Sequence, residues 1–269
     1  MKKKFLLLFI CTLMGALSAM AEDVPYAIFT ANDSTLTFSY GPRPAGAYLA
    51  ESYYSSPGWF DNYESQAVAH VVFNSSFDQA RPAGTAFWFY CMFNLKSITG
   101  LEYLHTDAVV DMEYMFAGIP LTSLDLSHFN TSNVRDMSCM FEGCSNLETI
   151  YAGSGWTVAN VTQNNSTDMF YGCTSLVGGQ GTVYDPYYVD KDYAHIDGGP
   201  SNPGYFTDAN PVVVVLGDVN GDGDVNVMDI TALIDIIMND GDNPRADVNE
   251  DEAIDVRDIT ALIDIIMNM

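Results

Sequence analysis

Apolar residues recur along the centre of the chain with a long period. Asp111-Met112-Glu113-Tyr114-Met115-Phe116-Ala117-Gly118 aligns with Asp136-Met137-Ser138-Cys139-Met140-Phe141-Glu142-Gly143 at an offset of 25. A compressed copy follows at Asp168-Met169-Phe170-Tyr171-Gly172-Cys173, and a degenerate one precedes at Trp88-Phe89-Tyr90-Cys91. Leu95, Leu121, Leu147 and Leu176 hold one position of the repeat, at intervals of 26, 26 and 29. A fixed period in the twenties predicts stacked units, each too small to close a core alone. Within a unit the pattern changes. Met112, Met115 and Phe116 are spaced as one face of a short helix, whereas Leu124-Asp125-Leu126 alternates as a strand does. Leu121, Leu124, Leu126, Phe129, Val134 and Met137 then point inward, with Asn130 and Asn133 in the turn.

The flanking regions carry other periods. Tyr26 to Thr30 and Leu36 to Tyr40 alternate aromatic and β-branched residues, and Gly41-Pro42 ends the second run. These predict a small β unit over residues 22–86 that covers the first open repeat. Tyr48, Tyr53, Tyr54, Trp59, Phe60 and Tyr63 read as the core of that cap rather than as a sugar-stacking patch. At the other end, Asp229-Ile230-Thr231-Ala232-Leu233-Ile234-Asp235-Ile236-Ile237-Met238 recurs unchanged 29 residues later as Asp258 to Met267. Ile230, Leu233, Ile234 and Ile237 fall at helical spacing, which predicts two amphipathic helices packed on each other.

Charge adds chemistry. The chain has 10 Lys and Arg against 35 Asp and Glu, a net of −25. Such a surface repels phosphate backbones and anionic headgroups, so neither nucleic acid nor a membrane surface is expected as a partner. With 48% hydrophobic and 17% charged residues, the chain is too apolar to be an acidic disordered one. The acid is densest in residues 217–269, where 14 acidic groups face only Arg245 and Arg257.

Those acids are ordered. Asp218, Asn220 and Asp222 stand at positions 1, 3 and 5 of a twelve-residue loop, with Gly223 at 6, the Asp224 carbonyl at 7, Asn226 at 9 and Asp229 at 12. A hard Ca²⁺ takes roughly six to eight oxygens at ~2.3–2.6 Å, which this spacing supplies. Asp247, Asn249, Asp251, the Ala253 carbonyl and Asp258 repeat the set. Asp rather than Glu at position 12 marks a variant EF-hand, because a shorter carboxylate must be brought closer by the backbone. Two calcium sites are expected. The second is the weaker, because Glu252 replaces glycine where the loop turns sharply and left-handed backbone costs a non-glycine residue about 1 kcal/mol.

The N-terminus predicts export. Lys2-Lys3-Lys4, an apolar stretch from Phe5 to Leu17 and Ala19-Met20-Ala21 have the form of a cleaved signal peptide. No later run is long enough to insert in a membrane. The remaining cysteines, Cys91, Cys139, Cys144 and Cys173, recur within the repeat. They read either as one or two disulfide staples or, favoured, as a ladder of small buried thiols. The four histidines lack metal-ligand spacing, and no nucleophile elbow, phosphate loop or HExxH helix is present, so no enzyme is expected.

Leu124-Asp125-Leu126-Ser127-His128-Phe129-Asn130-Thr131-Ser132-Asn133-Val134-Arg135-Asp136-Met137 resembles the repeat of the BspA-like leucine-rich-repeat surface proteins, found also in mycoplasma surface lipoproteins. The paired Asp-x-Asn-x-Asp loops, each ahead of a helix, resemble a type I dockerin. The first resemblance implies an adhesin-like module that binds an extracellular protein or glycan. The second implies docking to a cohesin-like partner, with Val227, Met228, Val256 and Arg257 as the contact positions. Two other roles are compatible with the same residues: a calcium-stabilised structural terminus without a cohesin partner, or an accessory subunit of a polysaccharide-degrading assembly. The expected organisation is a multidomain α/β protein: signal peptide 1–21, β cap 22–86, short leucine-rich-repeat solenoid with closing cap 87–208, linker 209–216, and a small all-α calcium-binding dockerin-like domain 217–269. It is expected outside the cell or on its surface.

Overall fold

The computed structural model describes residues 22–51, 55–211, 215–239, 241, 243 and 245–268. The signal-peptide reading, Tyr53, Tyr54 and most of the valine run of the linker lie outside these residues. The protein is mixed α/β with short sheets and few helices, and divides into two compact units between Ala209 and Asn210. No helix among the described residues is long and apolar enough to cross a membrane.

The N-terminal unit begins with β1 (Asp23–Thr30) and β2 (Thr35–Pro42), an antiparallel pair with β3 (Tyr48–Leu49) on its outer side, and continues through the single-turn helix α1 (Gly58–Asp61). From β2 onward the pairing becomes parallel: β4 (His70–Phe73) adds to β2 and β5 (Ser97–Thr99) adds to β4. A second parallel sheet holds β6 (Ser123–Leu126), β7 (Thr149–Ala152) and β8 (Phe206–Asp208). Opposite the strands runs a further ladder of backbone hydrogen bonds. Thr85, Phe87, Phe89 and Cys91 donate to Asp111, Glu113, Met115 and Ala117, and the next two junctions repeat the pattern.

Those bonds overturn the expected helix over Met112–Phe116. Tyr114 and Gly118 have φ of 53° and 75°, so the segment is a chain of turns whose N–H groups reach the next unit instead of the residue four back. Two columns of left-handed residues cross the units: Phe87, Tyr114, Cys139 and Asp168, then Cys91, Gly118, Gly143 and Gly172. Asp168 therefore lies in the column of Tyr114 and Cys139, not that of Asp111 and Asp136. The last unit is not compressed; buried Ser166 takes the place of Met112 and Met137.

One core runs through this unit. Phe89, Phe116, Phe141 and Phe170 form a ladder of near-parallel rings 5.2, 5.7 and 5.5 Å apart. It continues without a gap into the expected cap, where Phe38 stacks on Phe73 and Trp88 and meets the edges of Trp59 and Phe77. Trp59 is fully buried, as cap core requires, while Tyr63 is exposed. Cys91, Cys139, Cys144 and Cys173 are free thiols. At the far end buried Asp197 ties the closing turns, accepting the N–H groups of Gln180, Thr182, Gly199 and Gly204. Leu121 is the exception among the predicted inward residues, being only half-buried.

The C-terminal unit contains α2 (Val227–Met238) and α3 (Val256–Asn268), which pack around Leu233, Leu262, Val219 and Val248. Ile234 was expected in this seam and is on the outside, 38% exposed, with Ile236 half-buried in its stead. The buried stripe of α2 is therefore rotated toward Ala232 and Ile236 from the one the spacing suggested.

Candidate calcium-binding and docking site

Each loop is closed by its last carboxylate. Asp229 sits in the first turn of α2, where Oδ2 accepts the Asn226 N–H at 2.9 Å and Oδ1 accepts that of Asn220 at 3.0 Å. Asn226 returns the contact, its Oδ1 capping Met228 N–H at 2.8 Å. In loop two Asp258 accepts the N–H groups of Val248, Asn249 and Asp255 at 2.8, 3.1 and 2.8 Å. The backbone thus approaches the short position-12 side chain in both copies.

The earlier positions converge in the same way. Asp218 accepts from Gly221 and Gly223, and Asn220 Oδ1 from Asp222 N–H. Asp222 Oδ1 accepts from Asp224, whose carbonyl is the position-7 donor. Asp247 accepts from Asp251 and Glu252, Asn249 from Asp251, and Asp251 from Ala253. Among the described residues no three His, Cys, Asp or Glu side chains alone form a metal cluster. The donor set relies also on the Asn220 and Asn249 amide oxygens and on two carbonyls.

The residues present fit calcium. All the donors are hard oxygens, as Ca²⁺ requires. Asp229 and Asp258 are fully buried and are held by N–H groups, and among the described residues neither makes an ion pair. Burying a carboxylate without a counter-charge is costly, and a cation at this position removes that cost. The glycine requirement is equally visible. Gly221 and Gly223 have φ of 76° and 91°, and their counterparts are Glu250 at 59° and Glu252 at 67°. Sequence reasoning identified Glu252 and missed Glu250, although the 29-residue offset points to both.

It also missed Arg245, and it named Arg257 as a docking position without its contacts to the loop acids. Arg245 Nη1 lies 3.1 Å from Asp218 Oδ2 in a largely buried pair. Arg257 reaches Asp251 at 2.9 Å and Asp255 at 2.7 Å from an exposed position. The Arg257 N–H and guanidinium together hold the Asp255 carboxyl below its ordinary value. Both basic groups of the unit therefore lie on loop acids. The expected contact positions Val227, Met228 and Val256 are 65%, 60% and 67% exposed. Ile234, Met238, Ile263 and Met267 extend the same faces and were not anticipated.

Residues 216–267 match the type I dockerin domain. This region has the paired loops and helices just described, and the match supports calcium binding in general. Residues 86–183 match the family described as "Mycoplasma protein of unknown function, DUF285". No curated protein and no solved structure matches the chain.

Proposed function

We propose that the protein is an exported, non-enzymatic surface component with two working parts. Its dockerin region folds around two calcium ions and docks to a cohesin-type partner. The first ion is held by Asp218, Asn220, Asp222, the Asp224 carbonyl and Asp229. The second is held more weakly by Asp247, Asn249, Asp251, the Ala253 carbonyl and Asp258. The repeat region is a short leucine-rich-repeat-type solenoid that binds an extracellular protein or glycan.

The duplicated exposed face of α2 and α3 carries the docking reading. Val227, Ile234 and Met238 lie along one side of α2, and Val256, Ile263 and Met267 occupy the same places on α3. Apolar residues repeated on the outside of so small a unit support a partner surface. Calcium acts through the loops: fixing Asp229 and Asp258 fixes the first turns that carry Val227, Met228, Val256 and Arg257.

The test is binding of the full chain to immobilised type I cohesins, with calcium and with chelator. Capture that disappears with chelator and falls at least tenfold in Val227→Asp/Val256→Asp is expected. Calcium-loaded protein that no cohesin retains would sink the docking role and favour a calcium-stabilised structural terminus.

A further inference from the structure

The two ladders that join successive repeat units behave differently at one junction. On the turn side, hydrogen bonds run unbroken from Thr85–Cys91 through Met112–Gly118 to Met137–Gly143 and beyond. On the strand side, Lys96 N–H reaches Ala69 and Glu148 N–H reaches Thr122, but nothing joins Thr122 to Lys96. Among the described residues β5 ends one sheet and β6 begins the other, with no pairing between them. The break coincides with a shorter connection. Leu121 follows Phe116 by five residues, whereas Leu95, Leu147 and Leu176 follow their phenylalanines by six. Pro120, without an N–H, stands in that connection.

The junction is therefore paired along the turns and unpaired along the strands, and Thr106 and Asn130 rejoin the two units beyond them. It contains a cleft of about 420 Å³ lined by Lys96, Ser97, Glu102, Ser123, Asp125 and His128 among others. A strand residue occupies about 3.3 Å along the chain, ~4.8 Å between strands and ~10 Å through the sheet, or ~160 Å³. The cleft therefore has the volume of two to three extended residues, which matches the length of β5. Each facing strand has one unpaired edge, where alternate residues present N–H and C=O. His128 Nε2 is buried here without a hydrogen-bond partner, and burial pushes the imidazole below its ordinary value. Glu102 and Asp125 are exposed at the same cleft.

We propose that this cleft binds an extended peptide segment of a partner protein, paired through its main chain to the edges of β5 and β6 and carrying a Lys or Arg side chain to Glu102 and Asp125. Two open edges in one cleft give main-chain recognition, and the two carboxylates, opposed only by Lys96, select a basic side chain. The inference deepens the reading of the repeat region as a ligand-binding module and names its ligand class.

The experiment is hydrogen–deuterium exchange on the full chain with two probes, Ac-Thr-Val-Lys-Val-Thr-NH2 and its Glu-for-Lys counterpart, at millimolar concentration. Without peptide, the amides of 97–99 and 122–125 that face the cleft should exchange at least tenfold faster than those of β7. The Lys peptide should slow them severalfold and the Glu peptide should not. The exposed substitutions Glu102→Gln and Asp125→Asn should together abolish that protection while leaving exchange in β7 unchanged. Equal protection by both peptides, protection by neither, or protection that survives the double substitution overturns the proposal. A glycan or protein ligand bound with undiminished affinity by the double variant would leave the binding role standing and remove this site from it.

Discussion

Replacing Glu250 and Glu252 by glycine should stabilise the dockerin region, although both substitutions remove acidic groups from a calcium loop. Their φ angles of 59° and 67° are left-handed. That conformation costs an L-residue about 1–2 kcal/mol, and against it stands about 0.5–1 kcal/mol for the greater freedom glycine has in the unfolded chain. The net gain is about 0.5–1 kcal/mol per position, or about 1–2 kcal/mol for the pair. In a unit of this size 1 kcal/mol corresponds to a shift in Tm of about 4–8 °C. Among the described residues the two long helices, α2 and α3, both belong to this region, so far-ultraviolet circular dichroism in saturating calcium follows its unfolding. Charge is controlled by Glu250→Gln/Glu252→Gln, which removes the carboxylates and keeps the strain. The glycine pair should melt well above the glutamine pair. Equal melting temperatures would refute the claim that backbone strain sets the two loops apart.

Arg257→Gln should tighten calcium binding at the proposed second site severalfold in titration calorimetry, because the guanidinium at 2.9 Å would compete with the metal for Asp251; an unchanged affinity would remove the arginine from the site. Phe141→Ala should cost the N-terminal unit about 3–5 kcal/mol in denaturant unfolding, since it empties the middle of the ring ladder. Burial alone raises the Asp197 carboxyl, but hydrogen bonds from Thr182, Gly199 and Gln180 outweigh it and hold the group at about 2 against an ordinary 3.8. A depressed value stabilises the fold above pH ~4, by about 2 kcal/mol, and that contribution is lost as pH falls from there toward 2. Asp197→Asn should flatten this acid limb of the stability profile. The Cys144 thiol, pushed up to about 12 by burial, should resist an aromatic disulfide reagent until the unit unfolds.

Much of this was legible because repeated residues report repeated environments. The column of Phe89, Phe116, Phe141 and Phe170 is visible at a spacing near 27, and all four rings share one ladder. The loop acids were readable for a stricter reason: calcium coordination fixes both residue type and position over twelve residues, so two copies in register leave little room for accident. Where reasoning failed, the local pattern was degenerate. Met112, Met115 and Phe116 fit a helical face, but they also fit a turn whose every second N–H goes to the next unit. Period alone cannot separate these; the left-handed residue at Tyr114 decides it. Ile234 fits the helix stripe equally well, and only the direction in which α2 turns its buried face, toward Ala232 and Ile236, leaves it outside.

The sequence by itself determined the period of the central units, the inward residues of the ladder, the two acidic loops and the helix after each. These depend on side-chain type at fixed spacing, which is a local property. Tertiary structure alone decided which backbone groups would find partners across 25 or more residues. It turned an expected helix into a ladder of turns and set Arg245 on Asp218. It also parted β5 from β6, because a connection one residue shorter changes where a strand arrives without changing its alternation.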